Sequence, residues 1–358
     1  MIKGNIGEWS ELYAVIKIIA DGKVTLGDED HQPITNLVFT IIDILKEESF
    51  GTLIFGIGSN ISVLIDDMEQ TNIPIEKFKE ASIILLNALK SKTDTSFSIP
   101  DLETFIKEIK VETLKSNSDQ KNDIKIRIHD TISGSNPLLG FNVKSMLGSP
   151  STLLNAGKTT NFIYHIANVK LNHYEANRIN LIDTKSKVVD RLHEIQKLNG
   201  DLIFEKTENN IFGNNLTLID SAMPKILAEM LLMFYIKKIS GLKNIVEFLE
   251  QENPLNFDKS ANHPFYGYKI KKFLVDTALG MMPSKVWEGK LESTGGYLVV
   301  KETGDIVCYN VYFRNEFENY LLKNTRLETA STTRHDFAKI YFEDGKWKFK
   351  LNLQVRFK

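Results

Sequence analysis

DIKIRIHD (123–130), TISGSNP (131–137) and LLGFNVKS (138–145) set the fold class of this chain. The first stretch alternates polar and apolar residues, the period of a strand with one buried face. Ser133 to Pro137 supply turn residues, and 138–145 reads as the return strand. The product is an antiparallel hairpin. Asn142 and Lys144 lie two apart on the return strand and so share a face. Asp130 ends the first strand. Asp123 begins it, ~20 Å away along an extended chain.

Outward from the hairpin, helical and strand patterns mix. Upstream, residues 8–20 place Leu12, Val15, Ile16 and Ile19 on one helical stripe that stops at Asp21-Gly22. KVTLGDEDHQPI (23–34) predicts a short ribbon turning near Gly27 to Asp30, and 35–45 and 51–57 predict strands. Helices are expected over 74–90 and 100–114, followed by a polar, turn-like stretch at 115–122. Downstream, helices are expected over 173–198, 224–238 and 241–251. GGYLVV and DIVCYNVY form a hairpin across KETG, RNEFENYLLKNT is a short helix, and 338–358 is a hairpin turning at Asp344-Gly345. The break at NPLNFDKSANHPFYG suggests a division into 1–252, a core with a central helical region, and 253–358, a strand-rich part. The expected class is α/β, a mixed sheet flanked by helices with additional C-terminal strands and a helix.

At 358 residues and 42% hydrophobic composition the chain can bury a large core. One cysteine, Cys308, excludes an internal disulfide framework. No apolar run reaches membrane-spanning length and the N-terminus is not built like a secretory signal, so a cytoplasmic location with no membrane contact is expected. A net charge of -2 argues against a bulk phosphate binder but leaves open a DNA enzyme with focused lysines. No GxGxxG or GxxxxGK[ST] string supports a nucleotide-dependent metabolic enzyme; GIGSN (56–60) has glycine spacing alone.

An acid on one strand and acid-x-Lys on the next is a recurring arrangement for cutting phosphodiesters. The carboxylate holds a divalent cation against the phosphate, and the lysine orients water or stabilises the charge that develops. The candidates are Asp130, Asn142 and Lys144, with Asn142 standing where an acid is usual. An amide oxygen ligates without adding charge, so a second carboxylate is needed. Glu8 and Glu11, three apart on the N-terminal helix, can supply it, with Glu11 preferred. Asp123 ranks below Asp130 on distance. On spacing alone, Asp130 reads equally as a turn residue, Lys144 as a solvated strand lysine, and both glutamates as a polar helix face.

Longer stretches are more specific. KGNIGEWSELY (3–13), GFNVKSMLGSPSTLLNAGKTTNFIY (140–164), the run from Gly295 to Phe337 and KLNLQVRF (350–357) resemble the HpaII-type restriction endonuclease family over nearly the whole chain. The resemblance implies a PD-(D/E)xK nuclease-like core and a Mg²⁺-dependent enzyme that cuts both strands of duplex DNA at a short palindrome. The best known member targets CCGG. It implies Asp130, Glu11, Glu8 and Asn142 at the metal, with Asp130, Asn142, Lys144 and Glu11 in catalysis. It also implies a homodimer, at least on DNA, and a protective DNA methyltransferase. Contacts to DNA are expected from Ser149, Ser151, Thr152, Asn155, Lys158 and Asn161 after the hairpin, and from Arg326, Arg334 and His335. The terminal hairpin places Lys346, Lys348 and Lys350 on one face, available to phosphates or simply to solvent. A repair-type nuclease, or a DNA-binding protein without catalysis, would share most of these residues.

Overall fold

Asn5 opens the first helix, α1 (Ile6–Asp21). Its side chain accepts the Glu8 N–H at 3.0 Å, and the Glu8 carboxylate accepts the Asn5 N–H at 2.9 Å, a reciprocal cap. Gly22, at φ 64°, ends the helix in the left-handed region. This computed structural model describes residues 2–92, 94–114, 122–130 and 134–358. Most of the polar stretch expected at 115–122, and Ser133 of the expected turn, fall outside the described residues.

The chain continues through β1 (Lys23–Gly27), β2 (Pro33–Glu48), β3 (Gly51–Gly56), β4 (Asn60–Ile65), β5 (Met68–Pro74), α2 (Ile75–Ser91), α3 (Glu103–Glu108), β6 (Ile124–His129) and β7 (Leu138–Ser145). Next come β8 (Thr152–Leu154), β9 (Asn161–Ala167), α4 (His173–Asn180), α5 (Lys187–Lys197), β10 (Asp201–Thr207), α6 (Asn210–Ile219), α7 (Met223–Lys237), α8 (Leu242–Glu252) and α9 (Phe265–Leu279). The last third holds β11 (Gly296–Val300), β12 (Ile306–Tyr309), α10 (Arg314–Asn324), β13 (Thr325–Leu327), α11 (Thr332–His335), β14 (Ile340–Glu343), β15 (Lys346–Asn352) and β16 (Val355–Phe357). The class is mixed α/β. The helix expected over 100–114 forms only as α3, and 173–198 splits into α4 and α5.

Two compact units form: residues 1–151 with 291–320, and residues 152–290 with 321–358. This differs from the division at 252, because β11 pairs in parallel with β7, and β12 in parallel with β1, drawing part of the last third into the first unit. Among the described residues that unit holds a nine-stranded sheet in the order β1-β12-β11-β7-β6-β2-β3-β4-β5. β1 also pairs with β2, so six strands close a ring of pairings. The sixteen-residue β2 makes this possible by serving β1, β6 and β3 along its length, with a register shift between Ile41 and Asp43. α1 is buried on most sides, from Trp9 through Ala20, and shares one core with Ile124, Ile126 and Ile128 of β6 and Leu139, Phe141 and Val143 of β7. Such all-round burial marks a central helix. The register Ile124↔Phe141 and Ile126↔Leu139 puts Asp123 and Asn142 on the opposite face.

Gly296 begins β11 at φ 90°, and a Cβ there would meet the Tyr309 carbonyl oxygen at 2.1 Å. Backbone strain and overlap act together, so Gly296→Ala is expected to cost on the order of 3 kcal/mol. An unchanged urea midpoint would refute this.

The second unit carries an antiparallel sheet, β10-β9-β15-β14, and a three-stranded one, β13-β16-β8. The terminal hairpin forms as expected, but its lysines are not a phosphate-facing row. Lys348 is 0% exposed, with Glu343 and Asp344 at 3.0 Å and Glu205 at 3.3 Å. Lys350 pairs with Glu208 at 2.6 Å. The carboxylates of neighbouring elements already neutralise both.

Candidate active site

Asp123 stands just before β6, where its backbone N–H donates to Phe141 O at 2.9 Å and its Oδ2 accepts the Val143 N–H at 2.7 Å. These two bonds lock the acid across the Asn142-Val143-Lys144 segment. On β7, Asn142 donates from Nδ2 to Ser293 Oγ at 2.9 Å, which leaves its Oδ1 as the acceptor. Lys144 extends over the Tyr297 ring, 5.1 Å from its centroid. Tyr297 is the direct neighbour of Asn142 across the parallel β7–β11 pair. Asp123, Asn142, Lys144 and Tyr297 therefore share one face of three adjacent strands.

Charge in this cluster is poorly solvated. Burial pushes the Asp123 carboxyl above the usual range, against the opposing pull of the Val143 N–H and the Lys144 ammonium. Burial pushes Lys144 below the usual lysine range, while Asp123 and Glu11 pull it back up. Glu11 thus acts on Lys144 from α1. The helix is seated by the Ser10 hydroxyl, which donates to Ser145 Oγ on β7 at 2.9 Å. Glu11 lines a cleft of about 500 Å³ with Gly7, Val143, Ser145, Ser149 and Ser151.

Asp130 is not part of this cluster. Its N–H donates to Ser135 O at 3.0 Å and its carbonyl accepts the Gly134 N–H at 2.8 Å, so it closes the hairpin loop. Seven residues of strand separate it from Asp123, ~23 Å. Glu8 is also elsewhere, its carboxylate being spent on the α1 cap. Of the first-strand and helix acids, Asp123 and Glu11 are the two whose charges act on Lys144, while Asp130 closes the hairpin loop and Glu8 caps α1.

The DNA-contact candidates divide similarly. Ser149 and Ser151 line the Glu11 cleft. Asn155, Lys158 and Arg334 are exposed in the second unit. Asn161 is 0% exposed, donating to Glu208 Oε2 at 2.7 Å and His335 O at 2.9 Å, so it serves the fold rather than DNA. His335 is half-buried, its imidazole held below the usual range by burial and by Arg334. Thr152 and Arg326 lie on the three-stranded sheet. Sequence reasoning missed Tyr297 and Ser293, whose positions depend on the β7–β11 pairing.

By chemistry the Asp123 and Glu11 carboxylates and the Asn142 amide oxygen are the oxygen donors a hard divalent cation takes, with Asp123 and Asn142 on one sheet face and Glu11 in the cleft beside Val143 and Ser145. Mg²⁺ is commonly held by one or two carboxylates, keeping water and phosphate as its other ligands. Among the described residues no group of three or more His, Cys, Asp or Glu gathers. No helix of the described residues is long and apolar enough to cross a membrane.

The HpaII restriction endonuclease family model matches residues 5–357. The type II restriction enzyme HpaII of Haemophilus parainfluenzae is 43% identical over 99% of this chain and 98% of its own length. No solved structure gives a significant match. Identity at this level across both full lengths, together with the family match, shows that the chain belongs to the HpaII restriction endonuclease family.

Proposed function

We propose that this enzyme hydrolyses both strands of duplex DNA at a short palindrome, CCGG, through a PD-(D/E)xK-type site built from Asp123, Asn142, Lys144 and Glu11. The observation that carries the reading is the shared face of Asp123, Asn142 and Lys144, with the Glu11 charge acting on the same lysine. A divalent cation such as Mg²⁺, held by Asp123, Glu11 and the Asn142 amide oxygen, would acidify the attacking water and neutralise charge on the scissile phosphate. Lys144 places an ammonium where the phosphorus centre gains negative charge. Tyr297 and the strand pairing hold that ammonium in place, and the Val143 N–H fixes one oxygen of Asp123. Ser293 orients the Asn142 amide. A palindromic target is matched by a two-fold symmetric homodimer on DNA. A cognate methyltransferase protecting the same sequence belongs to the same proposal.

The test is digestion of unmethylated duplex DNA with Mg²⁺ or with EDTA, followed by mapping of the ends. Discrete fragments ending at CCGG, absent in EDTA, are expected. A Mg²⁺-dependent smear would retain a nuclease and discard site specificity. Absence of cutting by folded protein would favour binding without catalysis, a reading that Asn142 in place of an acid keeps open.

A further inference from the structure

Two segments besides α1 and β7 line the cleft that holds Glu11. Asp94 and Thr95 come from the stretch between α2 and α3, and Ser149 and Ser151 from the loop after β7. Both segments are seated on the start of α1. Gly4 and Phe97 exchange backbone hydrogen bonds at 3.1 and 2.9 Å, and the Trp9 indole N–H donates to the Phe97 carbonyl at 3.1 Å. These contacts fix the chain just after Thr95. Gly148 packs so closely on α1 that a Cβ there would lie 3.1 Å from Ile6 Cγ2. The Met146 N–H donates to the Val300 carbonyl at 2.9 Å and the Leu147 N–H to Ser145 Oγ at 3.2 Å, which fixes the chain just before Ser149. Within this frame the side chains of Asp94, Thr95, Ser149 and Ser151 make no hydrogen bond or ion pair among the described residues. Held backbone thus presents four polar side chains that serve no partner in the fold.

The chemistry of the lining selects what enters. Its charged side chains are the Glu11 and Asp94 carboxylates, and neither lysine nor arginine lines it. The α1 end offers little compensation, because Asn5 already accepts the Glu8 N–H. A phosphate is therefore repelled, whereas a group that donates hydrogen bonds finds acceptors in place. On DNA base edges the donors are exocyclic amines, and in the major groove of CCGG the only such group is the N4 amine of cytosine. We propose that Asp94 accepts a hydrogen bond from the N4 amine of one cytosine of the target, an inference that rests on the DNA-cleaving reading above. The Ser149 and Ser151 hydroxyls stand at the same base edge. Thymine presents an acceptor, O4, where cytosine presents the amine, so the same carboxylate rejects it. Distance favours this assignment. Val143 and Ser145, which flank Lys144, line the same cleft. Four stacked base pairs span only ~10 Å, so a base of the target lies close to any phosphate cut within it. A cleft of about 500 Å³ has room for the edge of one base.

The experiment measures equilibrium binding in EDTA, where no cation mediates a contact and no cleavage occurs. The duplexes carry CCGG, a scrambled site, or CCGG with one cytosine replaced by 2-pyrimidinone, which is cytosine without its amine. Asp94→Ala is compared with wild type, and thermal melting verifies that it is folded. The variant is expected to bind the CCGG duplex ~10-fold or more weakly, while holding the scrambled duplex at least as tightly, since it has lost a negative charge. At one of the two cytosines, 2-pyrimidinone should weaken wild type by a similar factor and leave Asp94→Ala unaffected. Equal weakening on the CCGG and scrambled duplexes would make Asp94 a general contributor and overturn the proposal. Unchanged binding in EDTA, with cleavage lost only when Mg²⁺ is supplied, would make Asp94 a cation ligand and also overturn it. A variant still sensitive to 2-pyrimidinone but indifferent to inosine, which lacks the minor-groove amine of guanine, would move the contact to guanine and overturn it as well. A wild type that cuts at CCGG yet shows no preference for it in EDTA counts against the base contact. One that does not cut at CCGG overturns the site-specific reading instead.

Discussion

Asp123→Asn is expected to lower Mg²⁺-dependent cleavage by ~10³-fold or more, while Asp130→Asn stays within about twofold of wild type. The two acids bracket the same strand, so the comparison separates the cluster around Lys144 from the hairpin loop. Asparagine preserves shape and can still accept the Val143 N–H that Asp123 Oδ2 accepts at 2.7 Å. What it removes is the charge that would hold a cation. Stability should move the other way. Burial raises the Asp123 pKa in the folded state, so its contribution favours folding at low pH and is lost as pH rises through the folded value. Above that folded value the ionised carboxyl is a burden, and asparagine, a mimic of the protonated acid, removes it. An inactive variant whose melting temperature at neutral pH equals or exceeds that of wild type would mark a residue kept for chemistry. Full activity in Asp123→Asn, or a comparable loss in Asp130→Asn, would sink the assignment.

The choice between these two acids shows where sequence reading stops. The alternation of DIKIRIHD and the turn residues before LLGFNVKS specify the hairpin, and β6 and β7 form there. Period alone does not say which end of the first strand meets Asn142 and Lys144. That is set by the register Ile124↔Phe141 and by the parallel partner β11, 155 positions away in the chain, which brings Tyr297 beside Asn142. The α1 cap was legible in principle, because Asn5-x-x-Glu8 is a capping pattern, and reading it would have withdrawn Glu8 from the metal site. α9 was hidden by the Asn- and Pro-rich segment before it, although Tyr266, Ile270, Phe273 and Leu274 repeat at helical spacing and are all buried. In the terminal hairpin, alternation separates Lys348 from Phe349 correctly, but cannot reveal that Glu205 on another strand encloses the lysine.

Lys144→Met should reduce the cleavage rate by ~10³-fold, with DNA affinity changed much less, because the ammonium acts on charge present only in the transition state. Two roles for this lysine predict opposite responses to pH. As a neutral base it would gain activity as pH rises through its folded pKa. As a charged stabiliser it loses activity there. Burial, the largest influence, draws its pKa down, but Asp123 and Glu11 pull it back up and the Tyr297 ring offers its face to a cation, so an ammonium has partners in place. The charged role is the expected one. Because burial still leaves the pKa below the ordinary lysine range, the alkaline fall in rate should begin at lower pH than an exposed lysine would give. Lys144→Arg separates the roles, since arginine stays protonated throughout. It should cut at least ~10-fold faster than Lys144→Met and show no alkaline fall. An arginine variant as inactive as the methionine one, with a wild-type rate that climbs through the alkaline range, would assign Lys144 to proton abstraction instead. The depressed pKa has a stability consequence of defined sign. The lysine's contribution to folding is fully present only above its unfolded-state pKa and is lost as pH falls through the folded value, so at neutral pH the buried ammonium opposes folding. Lys144→Met should therefore melt no lower than wild type at neutral pH, and a marked drop there would show that the ion cluster holds this part of the sheet together.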